Sequence, residues 1–458
     1  MLPLWVYKMK IINTIQSRKT NAVFFEKINN LDFKENGKLD DNIIKVDTTK
    51  RFQKIKGFGG AFTEASAYVL SKLSKEKQQE IMRAYFSKDG LNYNLGRLTI
   101  NSCDFALTNY CYVKDGDNDL STFSLEHDEQ QIIPMVKEAY HLSKDLKLLA
   151  SPWSPPAYMK SNKNMNYGGK LLEQYKPLWA KYFARYIQEM QKNGVHIDAI
   201  TIQNEPAATQ TWDSCLYSSS EERDFVKDYL HEELVKTNLE YVKVYVWDHN
   251  RGDILISRAI DVFEDKKAFD YIEGIAFHWY CSEDFACLSK FHEMYPTKSI
   301  IFSEGCVEYG IYGDESKFRF ENGEKYAHHM INDFNNYNEG FIDWNLILDM
   351  QGGPNHVGNY CEAPIMVDTV NQKIIYNSTY YYIGHFSKFV KRNARRLSTT
   401  CISSNKCVEA TSFINPNGQI VIVVLNQGYI ENVSLIVDDE IVNLSLPNQS
   451  ITTFIIEK

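Results

Sequence analysis

Ile197-Asp198-Ala199-Ile200-Thr201-Ile202-Gln203-Asn204-Glu205-Pro206 is an apolar, β-branched run that ends on a glutamate. Ser299-Ile300-Ile301-Phe302-Ser303-Glu304-Gly305 repeats the pattern, with its glutamate 99 residues further along. Short runs of this composition read as buried strands. A carboxylate at the tip of a buried strand is costly unless it is paired or does chemistry. If the two glutamates end the fourth and seventh strands of a repeating pattern, each unit spans roughly 33 residues, close to the ~30 expected of a βα unit.

The rest of the chain supplies the other units. Strands are expected at 54–60, 93–100, 146–153, 197–203, 242–248, 272–280, 299–303 and 340–348. Between them, 66–86, 129–143, 174–192, 220–238 and 326–337 carry apolar residues at helical spacing; in 175–190, Leu178, Tyr182, Phe183, Tyr186 and Met190 fall on one stripe. Eight alternations of strand and helix predict an α/β fold, a (β/α)8 TIM barrel, with both glutamates at the C-terminal face where barrel active sites are built. From about Leu397 the texture changes to short alternating strands, 408–414, 420–426, 433–437 and 452–456, separated by turns such as Asn415-Pro416-Asn417-Gly418. Similar pieces, 22–28 and 43–47, precede the barrel, split by Glu35-Asn36-Gly37. The expectation is an all-β sandwich built from both chain ends and flanking the barrel: residues 1–54 and 393–458 in the sandwich, 55–392 in the barrel.

Composition narrows the function classes. The chain has 458 residues, 44% hydrophobic and 24% charged, with a net charge of −9. That balance argues against nucleic acid as a partner and against a basic membrane-surface patch. No run is long enough to span a membrane. The one basic cluster, Lys391-Arg392-Asn393-Ala394-Arg395-Arg396, reads as a solvated helix C-terminus favoured by the helix dipole. Aromatic residues make up 13%, including 29 Tyr and 25 Phe, a supply of flat surfaces of the kind on which sugar rings stack. Nine cysteines without a CxxC pair suggest neither a zinc site nor a disulfide framework. With no leader read in Met1-Leu2-Pro3-Leu4-Trp5-Val6-Tyr7-Lys8, a reduced, cytoplasmic protein is expected. His328-His329 are adjacent and face different sides of a helix, Asp248-His249 ends a strand without a nucleophile motif, and the Gly57/Gly59/Gly60 cluster lacks the Lys-Ser/Thr of a phosphate loop. All three are read as structural. Neither a metal nor an organic cofactor is expected.

Two carboxylates on one barrel rim are the equipment for cleaving a glycosidic bond. Gly57-Phe58-Gly59-Gly60-Ala61-Phe62-Thr63-Glu64, Ser102-Cys103-Asp104-Phe105, 149–156, Asn204-Glu205-Pro206, His278-Trp279-Tyr280, Ser303-Glu304-Gly305, Asp343-Trp344-Asn345 and Gly352-Gly353-Pro354-Asn355 follow in order. The set resembles glycoside hydrolase family 30, in its glucosylceramidase-like branch, from about Gly57 to Lys391. The resemblance implies a retaining β-glycosidase with Glu205 as acid/base and Glu304 as nucleophile. It further implies that Arg97 and Tyr280 hold the nucleophile, that Asn204 bonds the sugar 2-hydroxyl, and that His278 contacts the acid/base. Asp104, Trp153 and Trp344 would bind and stack on the sugar. A raised pKa is expected for the acid and an ionised carboxylate for the nucleophile.

The loop 207–215 looks like the bacterial version of the family, shorter and more polar than in the animal lysosomal lipid hydrolases, with Trp212 as an aromatic wall beside the leaving group. The partner expected is therefore a small-molecule or oligosaccharide β-glucoside, with a glucosylceramide-type lipid beside it. A β-xylosidase, a β-fucosidase and a β-1,6-glucanase use the same scaffold; a sugar-binding barrel without catalysis is the reading from another class.

Overall fold

The computed structural model describes residues 9–28, 38–403 and 406–457; Glu35-Asn36-Gly37 and the first eight residues lie outside them. Eight parallel strands close into a barrel: β1 (Gly57–Ala61), β2 (Leu95–Ile100), β3 (Lys147–Pro152), β4 (Ala199–Thr201), β5 (Lys243–Asn250), β6 (Gly274–His278), β7 (Ser299–Glu304) and β8 (Gly340–Asn345). The expected strands are all present. β2 is buried along its whole length, as strands covered on both faces must be. Glycine at 59 is required by contact: a Cβ there would sit 1.9 Å from the Leu95 carbonyl oxygen of the neighbouring strand.

Capping decides where the helices break. The helical pattern over 66–86 becomes Glu64–Ser71 and Lys75–Phe86, because Ser74 accepts from the Lys77 amide and starts a second helix. Ser218 forms a capping box with Glu221 at the start of Ser219–Phe225.

Along the barrel axis the interior is layered. Leu95, Leu149, Tyr245, Ala276, Ile301 and Ile342 form one apolar layer. Two residues on along most of these strands stand Arg97, Ser151, His278, Ser303 and Trp344, with Thr201 on β4. Strand alternation carries them to the same interior one level up. β5 departs from this rule: its register shifts between Trp247 and His249, and both Trp247 and Asp248 have positive φ, +75° and +44°. The bulge turns Trp247 out, where its Nε1 donates to the Asn250 carbonyl, and brings Asp248 in.

The chain divides into two compact units, one of residues 58–317 and 340–375, the other of 1–57, 318–339 and 376–458. The second unit carries nine strands in the order 440–446, 431–437, 42–54, 395–402, 408–414, 420–426, 450–457, 10–18, 23–28. One face of nearly every strand enters a single apolar cluster that includes Ile44, Leu397, Ile422, Leu435, Leu444 and Phe454. Both chain ends thus build one β-sandwich. Three of its strands, Lys10–Arg18, Arg395–Ile402 and Glu440–Leu446, were not anticipated. The basic cluster is corrected with them. Arg396 lies in a strand, buried, its guanidinium 3.7 Å above the Phe52 ring and its Nε donating to Gln53.

His385 is wholly buried in this unit between the hydroxyls of Ser17 and Thr453, each 2.9 Å from a ring nitrogen. Burial lowers its pKa from 6.5 to about 3. The unfolded chain therefore binds a proton that the folded chain refuses between those values. The stability from the neutral ring is complete above pH 6.5 and is lost as the pH falls towards 3, by about 2 kcal/mol at pH 5. Unfolding of wild type and His385→Gln at pH 8 and pH 5 should differ by that extra loss in wild type; an equal loss in both would show the ring is not held neutral.

Candidate active site

The C-terminal ends of the barrel strands surround a cavity of about 470 Å³. Eight of the sequence-predicted residues line it: Asp104, Trp153, Asn204, Glu205, Trp212, Tyr280, Glu304 and Trp344. The other two, Arg97 and His278, are fully buried and hold the lining from beneath.

Glu304, the last residue of β7, is gripped from two sides. Arg97 Nη1 donates to its Oε2 at 2.6 Å and the Tyr280 hydroxyl donates to its Oε1 at 2.9 Å. Glu205, four residues past β4, has φ of +47°, a strained setting for a glutamate. Its Oε1 lies 3.3 Å from His278 Nδ1 and 3.5 Å from His249 Nδ1, while Gln210 Nε2 donates to Oε2 at 3.2 Å. Glu304 Oε1 is 3.9 Å from the same His278 nitrogen. The two Oε1 atoms are thus at most about 7 Å apart, the two distances laid end to end.

Sequence reasoning missed the residue that organises this arrangement. Asp248, read as structural, is completely buried and accepts from Arg97 Nη2 at 2.6 Å, Ser303 Oγ at 2.6 Å and Thr201 Oγ1 at 2.7 Å, and meets His278 Nε2 at 3.0 Å. Alternation along β5 points Trp247 inward, so only the bulge reveals it. Arg97 also donates to Asn204 Oδ1 at 3.0 Å and Ser151 Oγ at 3.1 Å, and its plane lies over Trp153 at 4.7 Å. Asp104 Oδ2 accepts from both Asn355 and Asn359 at 3.2 Å. His249 and Gln210 carried no signal a single sequence could offer.

Electrostatics in the site differ from expectation. Burial alone would raise Glu205, but hydrogen bonds from His249 and His278 outweigh it and hold the carboxyl below the usual range. Burial raises Glu304, with Glu205 and Asp248 adding to the effect against the pull of His278 and Arg97. Burial disfavours the His278 cation, yet Glu304, Asp248 and Glu205 bring its pKa up to about 9. The shifts thus favour a proton on His278, one hydrogen bond from Glu205. Burial and the charge of Glu304 raise Asp104 well above an ordinary carboxyl. Although no metal site was expected, Glu205, His249 and His278 bring three ligand atoms within 4.8 Å of one another.

The Glycosyl hydrolase family 30 TIM-barrel domain matches residues 55–390 and the family's β-sandwich domain residues 393–454. Lysosomal acid glucosylceramidase of Mus musculus is 34% identical over 416 residues, 87% of this chain and 79% of that protein. The crystal structure of SrfJ from Salmonella typhimurium superposes with a TM-score of 0.93 at 36% identity, covering 98% of this chain and 99% of SrfJ. The endo-β1,6-glucanase BT3312 gives 0.86 at 27% identity, over 97% and 99% of the two chains.

Removing Asp248 would leave Arg97 and His278 buried with one carboxylate fewer. Asp248→Ala should lower the unfolding free energy by about 3–5 kcal/mol, read from denaturant unfolding at pH 7. A loss under about 1 kcal/mol would contradict the buried ion network.

Proposed function

Because the chain belongs to glycosyl hydrolase family 30, we propose that it hydrolyses β-D-glucosides by double displacement, with Glu304 as nucleophile and Glu205 as acid/base. The family makes it a retaining β-glycosidase; the substrate and the residue roles are our reading. One observation carries it: two strand-tip carboxylates reach the same His278 nitrogen, so their nearer oxygens are no more than about 7 Å apart. A retaining pair needs its carboxyl groups about 5–5.5 Å apart, with no room for a water between nucleophile and anomeric carbon.

The partners divide the labour. Arg97 and Tyr280 donate to the two oxygens of Glu304, fix it in place and aim a lone pair at the anomeric carbon. Glu304 attacks that carbon as the bond to the leaving oxygen breaks, and Glu205 protonates the departing group. Glu205 then takes a proton from the water that releases the sugar. Its proton comes from His278, 3.3 Å away: a glycosidic oxygen against Oε2 and exclusion of water both favour the neutral carboxyl. Asn204, oriented by Arg97, is set to bond the 2-hydroxyl. Asp104 has Oδ2 committed to two asparagines, leaving Oδ1 for another hydroxyl.

For the leaving group, the names of relatives point two ways, to a glucosylceramide-type lipid and to a β-1,6-glucan. The cavity volume, about 470 Å³, favours a substrate of which little more than one or two rings is enclosed, a short glucoside. A panel of aryl β-glucoside, β-xyloside and β-fucoside, set beside a β-1,6-glucan and a glucosylceramide, separates these; preference for the glucan over every monosaccharide glycoside would overturn the short-glucoside reading.

A 2-deoxy-2-fluoro glucoside with a good leaving group should add one sugar mass to the protein, on the peptide carrying Glu304, and Glu304→Ala should take up none. A label on any other residue would sink the nucleophile assignment. Glu205→Ala should slow glycosylation by poor leaving groups about 10²–10⁴-fold while sparing good ones; equal losses on both would contradict the acid role.

A further inference from the structure

We propose that the Glu205 side of the cavity is also a binding site for one borderline transition-metal dication, with Zn²⁺ the reference ion, held by Glu205 Oε1, His249 Nδ1 and His278 Nδ1, and that occupancy blocks turnover. One ligand atom from each of the three residues lies within 4.8 Å of the other two. Glu205 Oε1 is 3.3 Å from His278 Nδ1 and 3.5 Å from His249 Nδ1. Bonds of about 2.0–2.1 Å in a tetrahedron place ligand atoms about 3.3 Å apart, so the carboxylate stands at nearly the right distance from each imidazole before any ion arrives.

The groups behind the ligands suit the same purpose. His278 Nε2 meets Asp248 Oδ1 at 3.0 Å, and Asp248 is anchored by Arg97, Thr201 and Ser303. A carboxylate behind an imidazole fixes the ring orientation and strengthens the nitrogen as a ligand. The ring of His278 cannot turn away from Glu205 without breaking that contact. His249 is the adjustable member: it is half-buried, and its Nδ1 is 3.2 Å from Asn250 Nδ2, an amide that must turn aside. Two histidines and one glutamate with an open fourth position form a donor set that takes zinc or copper, whereas calcium and magnesium need more oxygen ligands. Glu205 and His249 line the cavity, as does Glu304, whose Oε1 is 3.9 Å from His278 Nδ1.

Binding itself does not depend on the proposed reaction. Inhibition does rest on that reading, because an ion on Oε1 engages the carboxylate that would otherwise hold and release the proton. Titration calorimetry of the full chain with zinc chloride, without substrate, should give one ion per chain. Zinc-edge X-ray absorption of the same complex should show two imidazole nitrogens and an oxygen at about 2.0–2.1 Å. His249→Ala and Glu205→Gln should each weaken binding at least about tenfold. No binding at millimolar zinc, a spectrum without imidazole scattering, or an affinity unmoved by both substitutions would overturn the site; the spectrum on wild type stands even if a variant fails to fold. Zinc bound as described that leaves β-glucoside hydrolysis untouched would overturn the inhibition while leaving the site in place.

Discussion

A single guanidinium, that of Arg97, is buried between two carboxylates, and the upper half of the barrel is arranged around that fact. Arg97 donates to Glu304 on one side and Asp248 on the other, both at 2.6 Å. Desolvating three charges is unfavourable in itself and is offset only when every donor and lone pair finds a partner. Here nearly every one does: Nε goes to Ser151, Nη1 also to the Ser303 carbonyl and Nη2 also to Asn204. The hydroxyls of Thr201 and Ser303 complete Asp248. Of the small hydroxyl residues at the level of Arg97, Ser151 on β3 accepts from the arginine itself, while Thr201 on β4 and Ser303 on β7 donate to the Asp248 carboxylate that pairs with it. Larger apolar residues there would leave Arg97 Nε and Asp248 short of partners.

Much of this was legible in the chain because a barrel writes its period into the sequence. Eight apolar runs at regular spacing, two of them ending in glutamate, lead to the closed sheet and to the rim where the carboxylates meet. Glycine at 59 follows from the same logic, since strands as close as β1 and β2 leave no volume for a side chain. Asp248 was hidden for the opposite reason. Inward and outward residues alternate only while the register holds, and the bulge in β5 shifts it by one. A single sequence carries no mark of that shift, and the residue on which Arg97 and His278 both depend looks like an ordinary strand end.

The sandwich was legible in kind but not in extent. Its strands pair over hundreds of residues, Lys10–Arg18 with Ser450–Glu457 and Asn42–Lys54 with Arg395–Ile402. Edges and order in such a sheet are set by long-range partners, and local pattern says nothing of them. Arg396 illustrates the cost of reading charge locally. In the chain it ends a basic cluster. In the structure its guanidinium covers Phe52, and its donors go to Gln53 and the Leu397 carbonyl.

The two glutamates of the cavity are shifted in opposite directions by what surrounds them, Glu205 down and Glu304 up. Both are buried in the same cavity and Glu205 raises Glu304, so the titration of the site belongs to the group of charges and not to one carboxyl. What separates them is the chemistry of their neighbours. Glu304 is held by a guanidinium and by a phenol whose pKa burial pushes well above its ordinary value, both acting as fixed donors. Glu205 is held by two imidazoles and an amide. The imidazole of His278 carries a proton with a pKa brought to about 9 and can return it across 3.3 Å. A site built in this way keeps the proton stored beside the acid instead of on it. Expulsion of water by a sugar then shifts the balance towards the neutral pair, because a neutral carboxyl next to a neutral ring is the form that a dry cavity tolerates best.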